Sequence, residues 1–139
     1  MGNGPSTYEV ERLLARDLSS ITEAREVVGR ALMACGYRGE HDQVVLVVSE
    51  LVTNALIHGA GTPVLRLSCD ESRVRLEVSD TNAEMPRPRE PDAEGGWGLH
   101  VIEELTTGWG ASPRVDGKVV WCELAAPPAP AAVPDQVAN

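Results

Sequence analysis

Hydrophobic positions along this chain change period several times, and each change marks an element. From Ile21 the residues Ala24, Val27, Val28, Ala31, Leu32 and Cys35 fall at steps of three and four. That spacing predicts a helix stopped by Gly36. A second helix is expected from about Asp42 to His58, closing at Gly59, with Asp42 as N-cap and the run Val44 to Val48 deeply buried. Val64 to Cys69 reads as a strand. So does Arg73 to Ser79, where Val74, Leu76 and Val78 alternate onto one side, with Asp70 and Glu71 at the turn between the two. Tyr8 to Leu14 has the pattern of a short opening strand. A third helix is expected near Gly98, carrying Val101, Ile102 and Leu105. Trp109 to Val115 and Lys118 to Leu124 then read as a hairpin turned at Asp116-Gly117.

Antiparallel strands interleaved with helices predict an α+β fold, a two-layer sandwich with helices on one face of a mixed, mainly antiparallel sheet. Residues 1–20 form an N-terminal segment with an edge strand, 21–125 the domain itself, and 126–139 a Pro/Ala-rich tail expected to be disordered. The stretch Thr81 to Gly96 is rich in proline, glycine and acids and reads as a mobile loop. Loops of that length inside a compact domain are usually functional or disordered.

One helix breaks its own pattern. Glu50, Asn54 and His58 stand at steps of four in the second helix, so they form one axial stripe among Val47, Val48, Leu51, Val52, Ala55 and Leu56. A polar stripe on a buried helix is costly unless something pairs with it. The amide oxygen of an asparagine is a hard neutral ligand that suits magnesium. A carboxylate one turn earlier can take a proton from a water or hydroxyl beside that metal. Solvent exposure, or a bond to a neighbouring loop, also accounts for the stripe taken alone, and His58 suits a helix C-terminus for its dipole. Asp80, where the second strand runs into the long loop, suits an acceptor for an exocyclic amino group, or an ordinary turn. Gly95-Gly96-Trp97-Gly98-Leu99 leads into the third helix, where close backbone approach and free N–H groups favour phosphate.

Charge narrows the partners. The net charge is -9 with a pI near 4.7, and Lys118 is the only lysine. A chain so acidic lacks the clustered cations that displace counterions from nucleic acid, so no direct nucleic-acid partner is expected. No run reaches the ~20 apolar residues of a membrane span. The polar N-terminus lacks the apolar core of a signal peptide, so a cytoplasmic location is expected. Cys35, Cys69 and Cys122 are odd in number and far apart, which reads as free buried thiols rather than a zinc site or a disulfide framework.

Taken together and in this order, SELVTNALIHG (Ser49 to Gly59), VSDTN (Val78 to Asn82) and GGWGL (Gly95 to Leu99) resemble the N box and the two glycine boxes of the GHKL ATPase superfamily. Histidine kinases, the gyrase ATPase domain and the anti-sigma-factor serine kinases share these boxes. The first stretch is most similar to the anti-sigma-factor serine/threonine kinase branch, and the likeness spans roughly Ile21 to Leu124. The resemblance implies the Bergerat-type ATP-binding fold, with ATP and Mg2+ as cofactors. It implies Asn54 as magnesium ligand, Glu50 as catalytic base and Asp80 reading the adenine amino group. His58, Asn82, Gly95, Gly96, Gly98 and Leu99 belong to the nucleotide-binding boxes, Thr81 to Glu94 would be the lid, and Arg25 would lie at the partner surface.

By the same resemblance the partners are a sigma factor and/or an anti-sigma-factor antagonist protein, with a homodimer left open. The expected activity is phosphorylation or sequestration of such a partner in transcriptional control. The first glycine box departs from the family pattern, because Asn82, Ala83 and Glu84 stand where Gly-x-Gly is usual. Asn82 tolerates positive φ better than most residues, which would preserve the turn. The departure, with acids at Glu84, Glu90, Asp92 and Glu94, motivates a second reading: a nucleotide-binding interaction module without phosphotransfer. A scaffold that has lost its nucleotide is a third.

Overall fold

The computed structural model describes residues 7–85 and 98–128. Its elements are β1 (Tyr8–Leu13), α1 (Ser19–Cys35), α2 (His41–His58), β2 (Val64–Cys69), β3 (Arg73–Asp80), α3 (Gly98–Leu105), β4 (Gly108–Arg114) and β5 (Gly117–Ala125). The five strands make one sheet in the order β1-β2-β3-β5-β4, and all four pairings are antiparallel. The sheet is therefore wholly antiparallel among the described residues, where the pattern predicted a mixed but mainly antiparallel one. The helices cover one face, giving the α+β two-layer sandwich.

The strand alternation decides that face. Leu65, Leu67 and Cys69 of β2, Val74, Leu76 and Val78 of β3, and Val120, Cys122 and Leu124 of β5 point into the core. The other face carries the ion pairs Arg66–Glu11, Arg75–Glu77 and Arg75–Glu123, with Arg75 also lying over the Trp121 ring. α2 forms despite many β-branched residues, since Val44, Val47, Val48, Leu51, Val52 and Ala55 are all buried between α1, α3 and the sheet. Each such side chain removed from water stabilises by ~1.5–3 kcal/mol, well above a helix-propensity deficit of ~0.7 kcal/mol per residue at most.

Several local expectations change. α1 begins at Ser19 rather than Ile21, held by the backbone of Asp17 and by its carboxylate, which accepts from the backbone N–H of Ser19. It stops at Gly36, in the left-handed region at φ 70°, as predicted. Glu40 takes the cap position of α2, and Asp42 sits inside the first turn without capping it. The last hairpin turns at Val115-Asp116, since Arg114 pairs with Gly117 across the ladder. Cys35 and Cys69 are not free: they form a disulfide between the ends of α1 and β2, whose Cα atoms lie 6.2 Å apart because the helix packs directly along that strand. Cys122 stays a free thiol, its pKa pushed up to about 12 by burial.

One guanidinium closes the C-terminal end of α2. Arg16 donates to the carbonyls of Ala55 (3.3 Å), Leu56 (2.8 Å), Gly59 (3.5 Å) and Gly61 (3.1 Å). The Ala55 carbonyl also accepts from the Gly59 N–H, the others belong to the helix end and the turn after it, and a cation there suits the negative end of the helix dipole. The segment so held is the one that meets the end of β3.

Candidate functional site

The stripe on α2 runs between two neighbours. At its N-terminal end lies the start of α3, where a Cβ placed on Gly98 would stand 3.0 Å from Glu50 Oε1. At its C-terminal end lies Asp80, because a Cβ on Gly59 would fall 2.7 Å from the Asp80 carboxylate and would overlap the Ala55 carbonyl oxygen. Glycine is needed at position 59 for this close approach, not for its backbone angles, which are extended. Glu50 to His58 spans about 12 Å of helix at ~1.5 Å per residue. The stripe, the third helix start and the strand end thus line one continuous region.

Glu50 and Asn54 are half-buried, and neither side chain hydrogen-bonds to another described residue. Among the described residues, their polar atoms are not consumed by the fold. Burial pushes the Glu50 carboxyl above the ordinary carboxylate value, the direction a general base working near neutrality needs. No group of three or more His, Cys, Asp or Glu side chains among the described residues could form a cage for a metal. The donor set suits magnesium, which keeps several waters and takes only one or two protein ligands beside phosphate oxygens.

Asp80 is almost fully buried and carries an unexpected partner. Its side chain is 1% exposed and that of Lys118 is 3% exposed, with Lys118 Nζ donating to Asp80 Oδ1 at 3.0 Å. The two residues are directly opposite in the β3–β5 ladder, both on the helix-facing side. Lys118 Nζ also donates to the Asn82 carbonyl at 2.9 Å. A charge this buried requires such a partner, since a lone carboxylate out of water is strongly unfavourable. Lys118 is the site residue that sequence reasoning misses, although the alternation Lys118, Val120, Cys122, Leu124 places the only lysine of the chain on the buried face of its strand.

The corner after Asp80 is built without positive φ. No described non-glycine residue has one, so Asn82 does not rescue the turn as predicted. Side chains shape it. Asp80 Oδ1 accepts from the Asn82 backbone N–H at 2.7 Å, and Asn82 Oδ1 accepts from the Glu84 N–H at 2.9 Å. These are two successive Asx turns, a substitute for glycine. Asn82 Nδ2 donates to the His58 carbonyl at 2.7 Å, and the Thr81 N–H donates to the Ala60 carbonyl at 2.9 Å. Position 117 admits only glycine here, because a Cβ would overlap the Asp80 carbonyl oxygen.

Of the residues singled out from sequence, Glu50, Asn54, Gly98, Asp80 and Asn82 are therefore brought together around α2. Leu99 is buried at the start of α3 and packs in the core. His58 contributes its carbonyl to the corner, while its side chain is exposed. Arg25 stands exposed on α1. Gly95, Gly96 and the larger part of the expected lid, residues 86–94, lie outside the described residues. No described helix is long and apolar enough to cross a membrane.

Comparison with known proteins bears on this geometry. A family model described as the histidine kinase-like ATPase domain matches residues 14–122. No curated protein matches the chain. Among solved structures, the RsbU and RsbW domains of Rv1364c from Mycobacterium tuberculosis are similar with a TM-score of 0.64 at 20% identity. That match covers 86% of this chain and 32% of the other, so the chain spans about a third of that protein. The histidine kinase AdeS of Acinetobacter baumannii matches at a TM-score of 0.49 and 15% identity, over 84% of this chain and 67% of the other. The histidine kinase domain of a blue-light activated kinase from Erythrobacter litoralis matches at 0.44 and 16%, over 77% and 59%.

Proposed function

The chain belongs to the histidine kinase-like ATPase domain family, and on that premise we propose that it binds ATP with magnesium along α2 and phosphorylates or sequesters a protein partner in transcriptional control. The single observation that carries the reading is the pair Glu50 and Asn54. Both present polar atoms unpaired among the described residues, set beside the buried Val47, Leu51 and Ala55 of the same helix, with Glu50 beside the start of α3. The described fold makes no hydrogen bond with either side chain.

In this reading Asn54 would hold the metal through its amide oxygen, and magnesium would supply neutralisation of charge on the phosphate oxygens. Glu50 accepts the proton of a partner Ser or Thr hydroxyl as that oxygen bonds to the γ-phosphorus and the bond to the leaving ADP breaks. The N–H groups at the start of α3 face the phosphates. The residues Gly95, Gly96 and Leu99 would complete that turn, His58 and Asn82 the floor of the pocket, and Arg25 the partner surface. A sigma factor or its anti-sigma antagonist is the proposed partner class, supported by the similarity of SELVTNALIHG to the anti-sigma kinase branch and by the fold shared with the RsbU and RsbW domain protein.

The test is calorimetric titration with ATP, with and without magnesium, followed by transfer of labelled phosphate to candidate antagonists. Magnesium-dependent binding that Asn54→Ala weakens, with transfer that Glu50→Ala abolishes, supports the kinase reading. Binding that survives in Glu50→Ala, with no transfer by the wild type to any antagonist, favours the second reading of an interaction module. The altered corner at Asn82 to Glu84 motivates that alternative. Absence of ATP binding at millimolar concentration refutes both.

A further inference from the structure

We propose that Cys35 and Cys69 are a reversible redox lock on the segment that carries α2. The inference stands on the disulfide and its surroundings and needs no nucleotide in the site. The bond joins the last residue of α1 to the last residue of β2, 34 positions later. The chain between the two sulfurs forms one closed loop, and α2 with Glu50 and Asn54 lies inside it. The cross-link therefore ties together both ends of the segment that presents the stripe.

The surroundings accommodate both oxidation states. Cys35 Sγ lies 3.6 Å from the carbonyl oxygens of Leu32 and Asp70, and Cys69 Sγ lies 3.5 Å from that of Ala31. Once reduced, each S–H has an acceptor at hand, so neither buried thiol is orphaned. The helix end is also held without the bond. The Arg38 N–H donates to the Glu71 carbonyl at 2.9 Å and the Tyr37 N–H to the Leu32 carbonyl at 3.1 Å, with Tyr37 and Leu32 both buried. Reduction thus removes a tether and leaves the packing in place.

The two sulfurs differ in access. Cys35 ends α1 and is followed by Gly36 in the left-handed region, and helix ends fray. Cys69 sits in β2 between two strands, opposite Tyr8 on one side and Val74 on the other. The thiolate of a reducing dithiol then attacks Cys35 Sγ. A bond to the reductant forms, the Cys35–Cys69 bond breaks, and Cys69 leaves as a thiolate and takes a proton. The reductant's second thiolate attacks its own sulfur in the mixed disulfide, closing the reductant's disulfide and releasing Cys35, which takes the second proton. A small-molecule disulfide runs the exchange in reverse. Cys122 stays outside it, because burial pushes its thiol pKa up to about 12 and leaves almost no thiolate to attack the pair.

The experiment equilibrates the full chain in buffers running from dithiothreitol to oxidised glutathione. Free thiols are then alkylated in urea and counted by intact mass. One alkylated cysteine is expected at the oxidising end and all of Cys35, Cys69 and Cys122 at the reducing end, with the same circular dichroism at both and full reversal. In urea, the unfolding equilibrium constant of the reduced chain should be about thirtyfold to several hundredfold larger, because the loop no longer restricts the unfolded ensemble. Amides in the last turn of α1 and the first turn of α2 should exchange about tenfold faster or more on reduction. A pair that stays oxidised in excess dithiothreitol until urea unfolds the chain is a static brace and overturns the lock. So does a pair that stays reduced in oxidised glutathione, or a chain that loses its dichroism on reduction. Exchange at those amides that ignores reduction overturns the link to α2. The Cys35→Ala, Cys69→Ala double variant should match the reduced chain in stability, and a stability that still follows the buffer would overturn the assignment to this pair. Should that variant fail to fold, the wild-type thiol count and urea midpoints decide alone.

Discussion

Replacing Lys118 by methionine keeps the length and apolar stem of the side chain and removes only its charge and donors. Asp80 then remains 1% exposed with no cation beside it. Breaking a buried pair from one side costs about 3–5 kcal/mol, because the remaining charge is left uncompensated. Domains of this size have a total stability of roughly 5–15 kcal/mol, so the variant should lose about a fifth of it or more. At a urea dependence of about 2 kcal/mol per molar, the unfolding midpoint should fall by about 1.5–2.5 M. The cycle is completed with Asp80→Asn and the double variant, in which the amide oxygen of the substituted side chain still accepts the Asn82 N–H. The double variant should recover most of the loss, leaving about 1–2 kcal/mol for the changed hydrogen bonds. Equilibrium urea unfolding followed by circular dichroism and by tryptophan fluorescence measures all four. A midpoint shift below about 0.5 M for Lys118→Met, with additive effects in the double variant, would be the behaviour of an exposed pair. That result would refute the burial of the pair.

Gly59→Ala should cost about 1–3 kcal/mol by overpacking, since the new methyl overlaps the Ala55 carbonyl oxygen and meets the Asp80 carboxylate at 2.7 Å; urea unfolding checks it, and nucleotide affinity should fall as Asp80 is displaced. Arg16→Met should destabilise by about 1–2 kcal/mol through loss of donors to α2 and its following turn, with hydrogen exchange rising first at residues 55–61. Glu50→Gln should be more stable than wild type at neutral pH and equal to it in acid. Burial raises the Glu50 carboxyl in the folded state, so its favourable contribution exists only while it is protonated. That contribution is lost as pH rises from the ordinary carboxylate value through the raised one. Thermal melts across that range test the sign, and a variant less stable than wild type at neutral pH would contradict it.

Much of the architecture could be read from the chain because its signals are local. The period of Val74, Leu76 and Val78, and the step-four stripe of Glu50, Asn54 and His58, are set by helix and strand geometry that needs no tertiary contact. Gly36 was legible as a stop for the same reason: only its own backbone angle is involved. Boundaries were less so. Asp42 has the chemistry of an N-cap, yet the chain enters α2 from Tyr37, whose N–H donates to Leu32 and whose carbonyl lies 2.8 Å from His41 Nε2, so the helix begins earlier.

Candidate side chains were legible one at a time, and their relations were not. The sequence alone determined that Glu50 and Asn54 share a face, that Asp80 ends a strand and that Gly98 starts a helix. Tertiary structure decided what each meets. The β3–β5 register, set by pairing of residues 38 apart, puts Lys118 opposite Asp80 and turns a lone acceptor into half of an ion pair. The packing of α1 along β2 joins Cys35 to Cys69 across 34 residues. Arg16 finds its carbonyls some 40 residues away. Local periodicity follows from bond geometry and burial, whereas such pairings depend on how strands and helices stack, which spacing within one element does not encode.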